Sequence, residues 1–267
     1  MKIRFILTLA ALALPISAQA DALFGNDMAG DRKLPRTWGI GIDYFSMNQP
    51  YQIDSLSFTP PALPITDPSL LAVNNDIEHV DLKIDVWVLP FLNLFGIYGQ
   101  IDGETAVDLS SLGLPLPPDV RTLRIGYDGD VYGGGAVLAF GGEKWFGSVT
   151  ATFTDTSISG DFNSSVSAST IQPRIGLRFG DHTEVWIGGY IIDAEEKHSG
   201  TIIVDLGPLI PPFMPFPLDF DVDLSQAEDF NFSVGMHMMI TDAWETTIEV
   251  GGGNRRTALA NLTYRFE

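Results

Sequence analysis

The stretch "VDLKIDVWV", residues 80–88, alternates apolar and polar side chains with a period of two. In an extended strand, Asp81, Lys83 and Asp85 lie on one face and the intervening apolar residues on the other. A shift of one residue would exchange these faces, so the pattern specifies which side of the strand meets an apolar medium. A continuous sheet of such strands therefore needs an apolar environment on one side only.

The same period recurs along the chain and predicts about ten strands. They are predicted at 38–44, 80–88, 95–109, 121–140, 145–157, 166–179, 185–206, 218–240, 244–252 and 256–266. Short turns are predicted at 90–93, 141–144, 180–183 and 241–243. Longer links are expected at 47–77, 108–120, 158–165 and 206–218, with a tight glycine-rich turn at 251–254. Short turns at one end and longer loops at the other are typical of transmembrane barrels.

The first residues have the features of an export signal. Lys2 and Arg4 precede an apolar run, and Ala18-Gln-Ala20 matches a cleavage site, so we expect a signal peptide at 1–20. Residues 21–35 lack periodicity and are expected to form a periplasmic extension. Residues 36–267 then form one barrel domain. The chain has no cysteine, which excludes disulfides.

Tryptophan placement distinguishes a membrane barrel from a soluble sandwich. All five tryptophans fall near strand ends on the short-turn side, where indoles favour the lipid headgroups. The predicted girdle is Trp38, Trp87, Trp145, Trp186 and Trp244.

With these features the closing "LANLTYRF", residues 259–266, resembles the last strand of bacterial outer-membrane β-barrel proteins. The resemblance implies an all-β, antiparallel transmembrane barrel of about 10 strands, with 8 or 12 as alternatives. It also implies lipid and lipopolysaccharide as surroundings, the barrel-assembly machinery as a partner during biogenesis, and a monomer by default. Glu267 departs from the pattern, because the aromatic residue is penultimate.

The polar residues at every second position of the strands predict a narrow, charged lumen crossed by ion pairs. Its expected lining is Asp81, Lys83, Asp85, Gln100, Asp102, Arg124, Arg174, Arg178, His237, Glu245, Glu249 and Arg265.

Proline-rich apolar segments cap the long loops. "GPLIPPFMPFPLDF", residues 207–220, has an analogue in "SSLGLPLPPDV", residues 110–120, and another in 58–71. Proline lowers the entropic cost of ordering such loops. They either bury one another as a lid or also receive an apolar ligand. The expected tips are Leu114, Pro115, Leu209, Ile210, Phe213, Met214 and Phe216.

Other chemistry has weaker signals. Asp219, Asp221 and Asp223 share one strand face and form a weak calcium candidate, although a solvated face explains them equally. His198 follows three acids, a combination that a surface hydrolase could use, but no catalytic serine or cysteine motif accompanies it. No cofactor is indicated. The formal charge of −19 argues against nucleic-acid partners.

Three functions remain open at this stage. The leading hypothesis is restricted uptake or binding of a small apolar solute. The alternative is a surface adhesin or structural envelope barrel, and a surface protease or lipid hydrolase is the third.

Overall fold

The computed structural model describes residues 22–29, 34–59, 71–112, 121–159, 162–180, 182–204 and 216–267. Nearly all of them belong to one antiparallel sheet. Its strands are β1 Trp38–Thr59, β2 Ala72–Leu89, β3 Leu92–Asp108, β4 Thr122–Gly141, β5 Trp145–Ser159, β6 Phe162–Phe179, β7 Thr183–Val204, β8 Phe216–Gln226, β9 Phe230–Met239, β10 Trp244–Gly252 and β11 Arg256–Phe266. Short 3₁₀ helices lie at Asn26–Ala29 and Leu109–Leu112. No helix in the described part of the chain is long and apolar enough to cross a membrane.

Ten of these strands close into a barrel. Neighbours follow one another from β1 to β7, then β9, β10 and β11, and β11 pairs with β1 from Trp38↔Phe266 to Asn48↔Arg256. The predicted ten-stranded antiparallel barrel is therefore confirmed. Closure leaves no unpaired edge, so every strand of this part can satisfy its backbone groups on both sides.

The eleventh strand, β8, lies above the β10–β11 hairpin. It pairs with β7 on one side and with the upper part of β1 on the other, so eight strands close the barrel at that level. We call the place where β8 passes into β9, above the hairpin tip, the fork. Pro50 lies where β1 changes partner from β11 to β8, so its missing N–H removes no bond from either ladder.

The outer face of the ten-stranded part carries an apolar band. Its exposed members include Ile40, Ile42, Val80, Leu82, Ile84, Leu94, Leu138, Ile175, Leu177, Val185, Ile187, Val234, Ile248, Val250 and Leu262. Aromatic side chains flank the band at both levels, with Tyr98, Tyr132, Phe153 and Phe232 exposed at the upper one. Above it, the outer face turns acidic. A closed sheet with such a band is the architecture of an outer-membrane barrel.

The strands are taller than a bilayer requires. β1 and β7 each have 22 residues, whereas about 9–11 residues span a membrane. The predicted tall hairpins are therefore present. The expected links at 47–77 and 158–165 were wrong, because β1 and β2 extend through most of the first and β5 and β6 through most of the second. At residues 47–59 the outer face meets water and the inner face packs inside the barrel. The contrast between apolar and polar residues is therefore weaker there than at the level of the membrane.

The predicted single strand 218–240 is also corrected. Residues 227–229 interrupt it, and the facing reverses there: Leu224 of β8 is buried inside, whereas Phe232 of β9 is exposed outside. Even-numbered residues therefore face inward in β8 and outward in β9.

Residues 22–29 of the N-terminal extension contact the barrel. The amides of Leu23 and Phe24 donate to the carbonyls of Trp87 and Val88 at 2.9 and 3.0 Å. Residues 1–21 lie outside the described residues, and the cleavage near Ala20 stays a prediction.

Candidate functional site: the barrel lumen

The floor of the lumen is an ion-pair network at the short-turn end. Arg265 of β11 reaches Asp85 of β2 at 2.8 Å and Glu245 of β10 at 2.7 Å. His237 lies 3.5 Å from Glu245, and Asn93 donates to Asp85 at 2.7 Å. The Arg265–Asp85 contact passes over Gly39 of β1, where an added Cβ would lie 2.4 Å from Asp85 Oδ2. Glycine at this position therefore leaves room for the ion pair that links β11 to β2 across β1.

A second network crosses from β6 to β10. Arg174 Nη2 lies 2.5 Å from Glu249 Oε2, and the Ser233 hydroxyl donates to the other carboxylate oxygen at 2.6 Å. The Arg174 guanidinium also stacks on Trp186, with 5.2 Å to the ring centroid. A charge-assisted pair in a buried setting is strong only when its other atoms are satisfied, as they are for Glu249.

Aromatic rings continue this network along the wall. Trp186 meets Phe146 edge-on at 6.2 Å, and Arg178 lies over Phe146 at 5.8 Å while pairing with Glu184 at 2.7 Å. Cation–π contacts of this kind hold guanidinium groups in fixed positions. The floor is thus crossed by connected side chains, which narrow the lumen at this end.

An apolar layer lies above the floor. It consists of Met47, Ile77, Ile101, Tyr190, Ile192 and Ala194, with Phe45 and Ala168 packed against it. A second apolar layer, higher in the barrel, consists of Tyr51, Ile53, Leu71, Val73 and Leu224, with Leu56, Val107, Leu109 and Val222 packed against it.

A polar belt separates the two apolar layers. Arg255 Nε donates to Gln49 Oε1 at 2.7 Å, the Gln49 amide donates to the Tyr51 hydroxyl, and Tyr51 donates to Glu196. His198 Nε2 lies 3.4 Å from the other Glu196 oxygen. The belt therefore runs as one chain of hydrogen bonds from the tip of the β10–β11 hairpin through β1 to β7.

Tyr127 and Asn75 complete the belt from the opposite wall. The Tyr127 hydroxyl donates to Asn75 Oδ1 at 2.9 Å, and its ring lies 6.5 Å from the His198 ring. Burial raises the pKa of both Tyr51 and Tyr127, and the nearby Glu196 charge raises each further. Both phenols therefore remain hydrogen-bond donors well into the alkaline range.

Most of the predicted lining residues lie inside, but three do not. The inward set, by register and parity, comprises Asp81, Lys83, Asp85, Arg174, Arg178, His237, Glu245, Glu249 and Arg265. The expectation for Gln100, Asp102 and Arg124 was wrong. Gln100 pairs with Val80 and Asp102 with Glu78, both on the outer face, and exposed Arg124 pairs with Glu104 there. Above the bilayer both faces carry polar residues, so polarity no longer identifies the inside.

The predicted girdle needs the same kind of correction. Trp38, Trp145 and Trp244 lie on the outer face near the short turns, and Trp244 contacts Tyr264 at 5.1 Å. Trp186 is buried in the lumen, and Trp87 shares the inward parity of Asp85 and pairs with Asn93. All five are near that end in sequence, but an indole's height does not decide which face it takes.

The loop-tip residues Leu114, Pro115, Leu209, Ile210, Phe213 and Met214 lie outside the described residues. Phe216 begins β8 and pairs with Val204, so it belongs to a strand.

The acidic trio Asp219, Asp221 and Asp223 is exposed or half-exposed on the outer face of β8. Thr201 donates to Asp219 at 2.6 Å, and Ser55 donates to Asp223 at 2.7 Å. These bonds support a solvated strand face, and the described residues contain no group of side chains arranged to hold a metal ion.

Sequence reasoning missed the polar belt. Gln49, Tyr51 and Asn75 fell within the expected loop, and Arg255 fell at the edge of the tight turn. The odd-numbered residues of β1 face inward without interruption from Gly39 to Ile53. This continued alternation is the sequence signal that could have revealed the belt.

No family model and no curated protein matches this sequence. Among solved structures, the chain is similar to the outer membrane protease OmpT from Escherichia coli, with 8% identity over 87% of this chain and 97% of that one, at a TM-score of 0.42. It is also similar to an outer membrane channel from Pseudomonas putida F1, with 11% identity, coverages of 89% and 98%, and a TM-score of 0.40. A third is the toluene transporter TbuX from Ralstonia pickettii, with 8% identity, coverages of 94% and 96%, and a TM-score of 0.35. At these values the similarities decide neither strand order nor function, which depend on the geometry above.

Proposed function

We propose that this barrel takes up a small, largely apolar solute across the bacterial outer membrane. The observation that carries the proposal is the layering of the upper lumen: two inward apolar layers with a polar belt between them. An apolar solute gains by leaving water for such layers, whereas a hydrated ion must shed water to enter them.

The layers also set the order of passage. A solute entering from the cell surface meets the upper apolar layer first, then the belt, then the lower apolar layer and finally the ion-pair floor. The crossing contacts Arg265–Asp85 and Arg174–Glu249 narrow the last step. The lumen therefore favours restricted, stepwise passage with side-chain rearrangement over free diffusion.

The proline-rich loops belong to this proposal as its entrance. Residues 60–70, 113–120 and 205–215 connect strands that end above the upper apolar layer. These residues lie outside the described part of the chain, and their apolar, proline-rich composition suits contact with an apolar solute.

The test uses a matched pair of alanine-to-tryptophan variants. Ala168 packs against the lower apolar layer, so Ala168→Trp should obstruct the lumen. Ala151 lies near the same height on the outer face, paired with Ile171, so Ala151→Trp should leave the lumen open.

The measurement is the rate at which intact cells take up the small apolar fluorophore N-phenyl-1-naphthylamine. Cells with the wild type or Ala151→Trp should take it up faster than cells lacking the protein, and Ala168→Trp should abolish that difference. Equal uptake by cells with and without the wild-type barrel would contradict the proposal.

A surface hydrolase has one observation in its favour, the pairing of His198 with Glu196 in the outer half of the barrel. Both side chains lie inside the polar belt, where Tyr51 already donates to Glu196, so the pair fits a lining role better. The decisive result for a hydrolase would be a measured cleavage activity that His198→Ala abolishes. The adhesin alternative depends on the loops and stays a prediction.

A further inference from the structure

The fork holds a buried arginine with only neutral partners. Arg255, at the tip of the β10–β11 hairpin, is 2% exposed. Its Nε donates to Gln49 Oε1 at 2.7 Å and its Nη2 to the Glu228 carbonyl at 2.6 Å. No carboxylate of the residues that the structure describes lies within ion-pair distance of this guanidinium. Burial lowers the pKa of Arg255, and the charges of Asp229 and Glu228, which lie farther away, offset this only in part. A buried charge in such surroundings strongly favours a counter-ion.

Unsatisfied polar atoms gather at the same place. Arg255 Nη1, Thr257 Oγ1 and both amide atoms of Asn231 are buried without a hydrogen-bond partner. Asn231 is 1% exposed, so solvent at the surface does not supply the missing bonds. Buried polar atoms nearly always have a partner, so a group of four without a protein partner points to a bound ligand.

Gly251 shows that two of these side chains, Thr257 and Asn231, are neighbours. A Cβ added to Gly251 would lie 2.2 Å from Thr257 Oγ1 and 2.6 Å from Asn231 Nδ2. Arg255 lies at the hairpin tip, two residues before Thr257 of β11, and its Nη2 bonds the carbonyl of Glu228, three residues before Asn231 of β9. A hydroxyl, an amide and a guanidinium are thus presented within one small region.

We propose that this region of the fork binds one of the larger halides, chloride or bromide. The Thr257 hydroxyl, the Asn231 amide and the remaining Arg255 nitrogen are all hydrogen-bond donors. The anion supplies a negative charge in direct contact with the Arg255 guanidinium. A water molecule accompanying the anion donates to Asn231 Oδ1. Because the site joins the hairpin tip to β9, the anion stabilises the fork whether or not the lumen transports a solute.

The experiment measures the thermal unfolding of the full barrel in detergent. Tm is recorded against sodium bromide concentration, with sodium fluoride keeping the ionic strength constant. A ligand that binds only the folded state raises Tm with its concentration, so Tm should increase with bromide.

Asn231→Asp places a carboxylate beside Arg255 and removes one donor, so its Tm should no longer respond to bromide. Thr257→Val removes a second donor without changing the side-chain volume and should weaken the response. The matched control is Thr156→Val, a buried threonine of β5 on the far wall, which should respond like the wild type.

Crystals of the wild-type protein grown in bromide give a direct readout. An anomalous bromine peak bounded by Arg255, Asn231 and Thr257 would support the site. Water alone at that position, or a wild-type Tm that follows ionic strength without regard to the halide, would overturn the proposal.

Discussion

The Tyr51 hydroxyl of β1 donates a hydrogen bond to the Glu196 carboxylate of β7 across the inner face of β8. These two strands are not neighbours at that height, because β8 pairs with both. The bond therefore joins the walls on either side of the fork, and it lies between the two apolar layers of the lumen.

Tyr51→Phe should lower the free energy of unfolding by about 1–3 kcal/mol, because Glu196 stays buried and loses a donor. The measurement is a guanidinium titration of the barrel in lipid vesicles. Tyr98→Phe is the control, since the Tyr98 hydroxyl bonds Asp130 at 3.3 Å on the exposed outer face. Equal losses in both variants would contradict a special role for the Tyr51 bond.

Stability should fall at alkaline pH through the two buried phenols. Burial raises the pKa of Tyr51 and Tyr127 in the folded barrel, whereas the unfolded phenols titrate near pH 10. Their contribution is fully present below about pH 10 and is lost as the pH rises further, because only the unfolded state then releases these protons. Unfolding titrations between pH 8 and about 12 should show a shallower decline for Tyr51→Phe.

The Arg174–Glu249 pair should behave as one unit. Glu249→Gln leaves a buried guanidinium without its counter-charge and should cost about 3–5 kcal/mol of unfolding free energy. Arg174→Met should cost a similar amount, because it leaves the buried Glu249 carboxylate without its counter-charge. The double variant should lose clearly less than the sum of the single losses, and additivity would mean that the pair is not coupled.

The level of the membrane can be tested on β7 alone. Ile187 and Ile203 lie on the same outer face with exposures of 66% and 69%, but Ile203 lies far above the apolar band. Ile187→Arg should cost about 2–4 kcal/mol, as lipid-facing arginine does, and Ile203→Arg should be nearly neutral. Both are compared by unfolding from lipid vesicles, and equal costs would place the band elsewhere.

Close backbone approach should make one glycine of β4 indispensable and leave another replaceable. An added Cβ at Gly135 would lie 2.0 Å from the Ala151 carbonyl oxygen, whereas at Gly126 it would meet nothing within 4 Å. Gly135→Ala should therefore hinder folding, visible as loss of the heat-modifiable band on gels. Gly126→Ala should fold as the wild type, and a normal band from both variants would refute the close approach.

The membrane-level barrel could be predicted from the sequence because two different media act on alternate residues there. Lipid outside and an enclosed polar interior leave a period of two that is visible in 80–88 and in the closing strand. The strand count and closure follow from that pattern and from the short turns, and the structure confirms them.

Above the bilayer the same reasoning fails for a physical reason. Water covers the outer face there, and apolar side chains fill the inside, so Gln100, Asp102 and Arg124 point outward although they are polar. At the short-turn end, Trp186 packs on Arg174 inside the barrel, although its position in the sequence suits a girdle.

The local alternation of residues by itself determined that these segments are strands and that one side of each meets lipid. Only the tertiary structure decided the fork, the polar belt and the unpaired atoms around Arg255, since these contacts join residues as far apart as Gln49 and Arg255. Such contacts depend on where β8 takes the place of β9, β10 and β11 between β7 and β1. That position is a property of the closed sheet rather than of any single segment.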